Sequence, residues 1–175
     1  GDSAGASLTS GASNTLIGGS AGDAITTGGN NLAMGLNSLG SNTGAYSNVA
    51  IGVRALEDFN VTTATSTYNV AVGEDAGRDV TTGVENTIIG GAAGDALTDA
   101  DFNAVLGAYA LSTDTLGSKS TAIGAAALNK QNFTTATNSF NTAVGFSAGK
   151  EITTGVQNTL IGAESGDALT TGNHN

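Results

Sequence analysis

Asn48-Val49-Ala50-Ile51-Gly52 and Asn86-Thr87-Ile88-Ile89-Gly90 are two forms of one phrase. It is short, rich in β-branched residues and bounded by Asn and Gly, so it reads as a strand between turns. Its terminal glycine falls on a grid: Gly1, Gly18, Gly35, Gly52, Gly73, Gly90, Gly107, Gly124, Gly145 and Gly162. The steps are 17, 17, 17, 21, 17, 17, 17, 21 and 17 residues. The chain is thus a tandem repeat nested in a 72-residue super-repeat. Sliding the sequence by 72 leaves 49 of 103 overlapping pairs identical. A period near 20 residues is the signature of stacked coils, each supported by its neighbours.

The columns of the repeat have distinct chemistry. Four residues before the glycine stand Asn14, Asn31, Asn48, Asn69, Asn86, Asn103, Ser120, Asn141 and Asn158, with Asn175 in register. This column predicts an amide ladder running from coil to coil, a structural device and not a ligand site. One residue before the glycine is always a large aliphatic, from Ile17 through Met34 to Ile161. Two before it is always apolar and mostly Ala. Successive strand residues face opposite sides, so one column fills the coil and the other forms an apolar stripe outside it. Such a stripe marks an interface. The smaller, Ala-rich column is expected to face the partner, because it allows close approach.

Seventeen residues hold two short strands and two turns but no helix. The second strand is expected at Asp79–Thr82, Asp95–Thr98, Glu151–Thr154 and Asp167–Thr170, flanked by Ala-Gly and Thr-Thr-Gly turns. The prediction is all-β: ten stacked coils of a parallel β-roll or β-solenoid, one unit over residues 1–175. At about 4.8 Å per coil the rod section is about 50 Å long. The grid glycines should take positive φ or sit where backbones crowd.

Composition removes several functions. Fifteen acidic against five basic residues give a charge of −10, which argues against nucleic acid as partner. There is no Cys, hence no disulfide or thiolate site. The single His174 lies near the end of the sequence, and no convergent acid, base or nucleophile stands out, so an enzyme is not expected, nor any cofactor. No membrane span or leader is visible. The chain reads as a piece of a longer fibre.

The 21-residue coils carry four extra residues within Glu57–Tyr68 and Asn129–Phe140, around the shared Thr-Thr-Ala-Thr at Thr62–Thr65 and Thr134–Thr137. These windows hold Phe59, Tyr68, Phe133 and Phe140, candidates for stacking on sugar rings. The competing reading has Tyr68 and Phe140 folding back to cover the adjacent coil. Asp23, Asp95 and Asp167 share one register and suggest a calcium site, a polar subunit contact, or turn aspartates that bond nearby amides. They stand about 19 Å apart and cannot act together. The Thr pairs at Thr26-Thr27, Thr81-Thr82, Thr153-Thr154 and Thr170-Thr171 raise ice binding, but they skip the third and fourth coils of each super-repeat.

The phrases Asn48–Ala55, Asn69–Ala76 and Asn141–Ala148 resemble the head repeats of trimeric autotransporter adhesins. The longer form, with Ala-Gly, Thr-Thr-Gly and Asn-Thr-Leu-Ile-Gly, is similar to repeats of phage tail fibres. The resemblance implies a left-handed parallel β-roll and a side-by-side homotrimer that contacts a cell surface. It carries no catalytic residues. The expectation is a non-enzymatic structural or adhesive segment of a trimeric surface fibre, a phage tail fibre on the virion, with a bacterial adhesin head at the cell surface as the alternative. A polysaccharide-degrading tailspike and an ice-binding solenoid are further alternatives.

Overall fold

The computed structural model describes residues 1–175, and it contains no helix. Thirteen short strands follow in chain order: β1 Thr15–Ile17, β2 Leu32–Met34, β3 Ala45–Tyr46, β4 Val49–Ile51, β5 Thr65–Ser66, β6 Val70–Val72, β7 Thr87–Ile89, β8 Ala104–Leu106, β9 Gly117–Ser118, β10 Thr121–Ile123, β11 Thr137–Asn138, β12 Thr142–Val144 and β13 Thr159–Ile161. Nine of them form one parallel sheet in the order β1-β2-β4-β6-β7-β8-β10-β12-β13. Every one is the residue triplet before a grid glycine, and like pairs with like: Ile88 lies beside Val105, and Ala50 beside Ala71. The ten grid glycines suggest ten coils; nine principal strands form, one before each grid glycine from Gly18 to Gly162.

The expected second strand is not where the sequence suggested. Asp79–Thr82, Asp95–Thr98, Glu151–Thr154 and Asp167–Thr170 are turns and bends. Their amides converge instead of forming a ladder: Thr81, Thr82 and Gly83 all donate to the carbonyl of Thr98. Strand pairs on that side of the coil occur only where β3 meets β5 and β9 meets β11, next to the enlarged coils. Of 107 backbone hydrogen bonds only 18 lie within strands, so the turns supply most of the coil-to-coil cohesion.

The corners run on left-handed backbone. The second residue after each grid glycine has positive φ in every coil, from Ser3 through Arg54 and Tyr109 to Glu164. So does the fourth, and its N–H points along the rod. Leu39 donates to Ala55, Leu56 to Ala76, Gly77 to Ala93 and Gly94 to Ala110, at 2.9–3.1 Å. The grid glycine is required twice over. Gly90 has φ +136°, and a Cβ there would lie 2.6 Å from the Gly107 carbonyl.

The super-repeat follows from two ways of filling the coil. Where the fourth residue after the grid glycine is Gly22, Gly77, Gly94 or Gly149, the seventh is a buried aliphatic: Ile25, Val80, Leu97 or Ile152. Where the fourth is Leu39, Leu56, Leu111 or Leu128, the seventh is Asn42, Phe59, Asp114 or Gln131. One large apolar side chain from either position occupies the lumen, except after Gly52, where both Leu56 and Phe59 are buried. Those leucines hold φ of 50–53°, a costly conformation. Full burial of each leucine offsets that cost by about 1.5–3 kcal/mol.

The two apolar columns are also sorted. Ala33, Ala50, Ala71, Ile88, Val105, Ala122 and Ala143 are buried inside the coil. The column one residue before the glycine faces out. This reverses the expected face: the Ala-rich column is the chain's own core and cannot meet a partner. The small side chains suit a thin roll, in which opposite walls approach closely.

Candidate functional site

Two surfaces and one buried ladder hold the residues singled out by sequence. The Asn ladder is present. Asn86 Oδ1 accepts the backbone N–H of Asn103 at 2.9 Å, and Asn86 Nδ2 donates to the Ala100 carbonyl at 2.7 Å. The same pattern links Asn14 to Asn31, Asn31 to Asn48, Asn48 to Asn69, Asn69 to Asn86, and Asn141 to Asn158. Beyond the expected amide-to-amide bonds, such as Asn158 Nδ2 to Asn141 Oδ1 at 3.2 Å, the side chains satisfy backbone groups that a coil corner would otherwise bury unpaired.

Ser120 interrupts the ladder, and Gln131 repairs it. Gln131 Nε2 donates to Ser120 Oγ at 2.8 Å and to Asp114 Oδ2 at 2.6 Å, while its Oε1 accepts from Asn141 at 2.8 Å. Asp114 Oδ1 accepts the N–H groups of Gly117 and Phe133. Burial pushes the Asp114 carboxyl above its ordinary range, and these hydrogen bonds pull it part of the way back.

The outer face of the nine-stranded sheet is the first surface. Ile17, Met34, Leu106, Ile123 and Ile161 are 36–71% exposed on it. Ile51, Val72, Ile89 and Val144 continue the row, and beside it on the same face stand Leu32, Val49, Val70 and Ala104 with Thr15, Thr87, Thr121, Thr142 and Thr159. No charged residue occurs in either column. Leu36, Val53, Tyr109 and Phe146 are exposed beyond one edge, where Glu74 and Asp75 lie beside Tyr109 and Lys150 and Glu164 beside Phe146.

The four aromatics of the enlarged coils divide. Phe59 is fully buried and Phe133 nearly so. Phe59 joins Leu56 in the core of its coil, while Phe133 packs over Gly117, where a Cβ would come within 2.8 Å of its ring. Neither can meet a ligand. What does protrude is polar: Thr62, Thr63, Ala64, Thr65 and Ser66, and Thr134, Thr135 and Ala136. Tyr68 and Phe140 are exposed by half or more and do not fold back as covers.

Tyr68 and Phe140 belong to a column that sequence reasoning passed over, five residues before the grid glycine. It reads Ser13, Asn30, Ser47, Tyr68, Glu85, Phe102, Lys119, Phe140, Gln157 and His174, and each member has φ of 49–65°. The side chain at this corner points away from the coil. Phe102 is exposed like its neighbours, and Lys119 Nζ lies 6.0 Å from the Phe102 centroid and 5.4 Å from that of Phe140. Counting back from the glycine grid would have exposed this row.

Asp23, Asp95 and Asp167 occupy separate coils, and no three acidic or His side chains converge to hold a metal ion. Asp95 is half-buried beside Arg78, Asp79 and Asp75, and burial raises its carboxyl above the ordinary range. No helix long and apolar enough to cross a membrane is present. No protein-family model, no curated protein and no solved structure matches this chain.

Proposed function

We propose that this chain is a non-enzymatic structural and adhesive segment of a trimeric surface fibre, of the phage tail-fibre type, carried on the outside of a virion. The observation that carries this reading is the uncharged apolar outer face of the sheet. All charged side chains of a chain with net charge −10 lie off it, although a free rod would gain solubility by placing them there. An uncharged face with a continuous aliphatic row about 40 Å long on a rod in water needs cover. Copies of the same rod supply it in register, because every coil offers the same columns. The repeat resemblance sets the number at three. The exposed aromatics and hydroxyl-rich loops give the assembled rod its adhesive contacts.

The test is assembly. Val72→Asp with Val144→Asp places carboxylates on the outer face without touching the lumen, and it should abolish trimers while each chain keeps its β-type circular dichroism. Wild type sedimenting as a folded monomer would reject the reading.

A further inference from the structure

We propose that the corner column Tyr68, Glu85, Phe102, Lys119 and Phe140 is a binding track for an extended, neutral, β-linked polysaccharide lying parallel to the rod axis. The proposal rests on the adhesive reading above and moves the contact from the enlarged loops to this row.

Conformation is the first argument. Every residue of the column is left-handed. Outside the track the corner is held by Ser13, Asn30, Ser47, Gln157 and His174, polar residues that lose nothing by facing solvent in that region. Aromatic rings there strain the backbone and, being 48–59% exposed, recover little of it by burial. Folding therefore does not explain Tyr68, Phe102 and Phe140. A ligand that covers them does.

Spacing is the second argument. The rings occupy alternate coils, so they recur about every 9.6 Å along the rod, the scale of one disaccharide in an extended chain whose alternate sugars present the same face. The row spans four coil steps, about 19 Å, room for about two disaccharides. Aromatic faces stack on the apolar faces of sugar rings, while intervening polar groups bond their hydroxyls. Glu85 supplies an acceptor and Lys119 a donor. Lys119 is pre-positioned between the Phe102 and Phe140 rings, where the cation–π attraction limits its rotamers. The track carries one charge of each sign on a strongly acidic chain, which selects a neutral polymer over an acidic one.

The experiment is titration calorimetry of the full chain with cellohexaose and chitohexaose, the corresponding disaccharides, and the α-linked maltohexaose. The variants are Phe102→Asn with Phe140→Asn, substitutions already accommodated in this column by Asn30, and Asp58→Asn as an exposed control outside the column. The expected result is binding of at least one β-linked hexasaccharide, weaker for its disaccharide and for maltohexaose, reduced roughly tenfold or more by the Phe pair and unchanged by Asp58→Asn. Failure of wild type to bind either β-linked hexasaccharide would overturn the proposal. So would equal binding by the Phe102/Phe140 variant, or loss of assembly in that variant, which would make the row a subunit contact. Sedimentation of the wild-type sample tests the fibre reading separately, so a trimer that binds no sugar rejects the track alone.

Discussion

Asn86 holds Asn103 by its backbone: the Asn86 side-chain oxygen accepts the Asn103 N–H at 2.9 Å, and in the same corner the Asn86 amide reaches Ala100 in the next coil at 2.7 Å. One buried side chain thereby pins two points of the following coil. Asn86→Ala should orphan both groups, at about 1–3 kcal/mol each. Thermal and urea unfolding should show the loss. Asn86→Asp should cost a similar amount, since a carboxylate keeps the acceptor but loses the donor and buries charge.

Gly90→Val should be among the most damaging single substitutions. The site needs φ +136° and has a neighbouring carbonyl 2.6 Å from any Cβ. A β-branched residue meets both obstacles. Gly91, one residue on, has open space at its Cβ position and no positive φ, so Gly91→Ala should leave the melting temperature nearly unchanged.

Phe59 and Tyr68 come from the same enlarged coil and should respond oppositely. Phe59→Ala empties the lumen and should cost about 3–5 kcal/mol. Tyr68→Ala removes a solvent-facing ring and should stay within about 0.5 kcal/mol. Equal effects in chemical denaturation would contradict the division of these aromatics into core and surface.

Asp114 should leave a signature in the pH dependence of stability. Its carboxyl is raised from the ordinary value of 3.8 by burial, partly opposed by hydrogen bonds from Gln131, Phe133 and Gly117. The folded chain then holds this proton more tightly than the unfolded chain. Its contribution is complete below the ordinary value and declines as pH rises through the raised one. Asp114→Asn should remove that decline. It should also destabilise by about 1–3 kcal/mol, because an amide would turn a donor toward Gln131 Nε2, 2.6 Å away. Unfolding free energies of both proteins across the acid-to-neutral range would show whether the slopes differ in this sense.

The repeat made much of this structure legible. The grid fixed the coil length, the Asn column announced a ladder, and the Ile-Gly phrase marked every strand of the main sheet. What the sequence did not show is where one-dimensional patterns lose depth. Alternation said that Ala71 and Val72 face opposite sides, but both are apolar, so nothing in the pattern said which side is inside. Asp79–Thr82 looked like a strand because turn signals flank it, yet the Thr81 and Thr82 amides converge on the Thr98 carbonyl. Phe59 looked like a loop aromatic because it borders an insertion, whereas it stands before the protruding residues and is buried in the core with Leu56. The row of Tyr68, Phe102 and Phe140 was hidden because it is defined by left-handed backbone, and Glu85 and Lys119 interrupt its chemistry.

The central claim is that the uncharged outer face, with Ile17, Ile89 and Ile161 in one row, is covered by other copies of the chain. Sedimentation equilibrium of the wild-type protein, run beside Val72→Asp/Val144→Asp, tests it most directly. The account predicts three times the chain mass for wild type and a single-chain mass for the variant, both with β-type circular dichroism. A folded wild-type monomer, or a variant that still assembles into trimers, would contradict it.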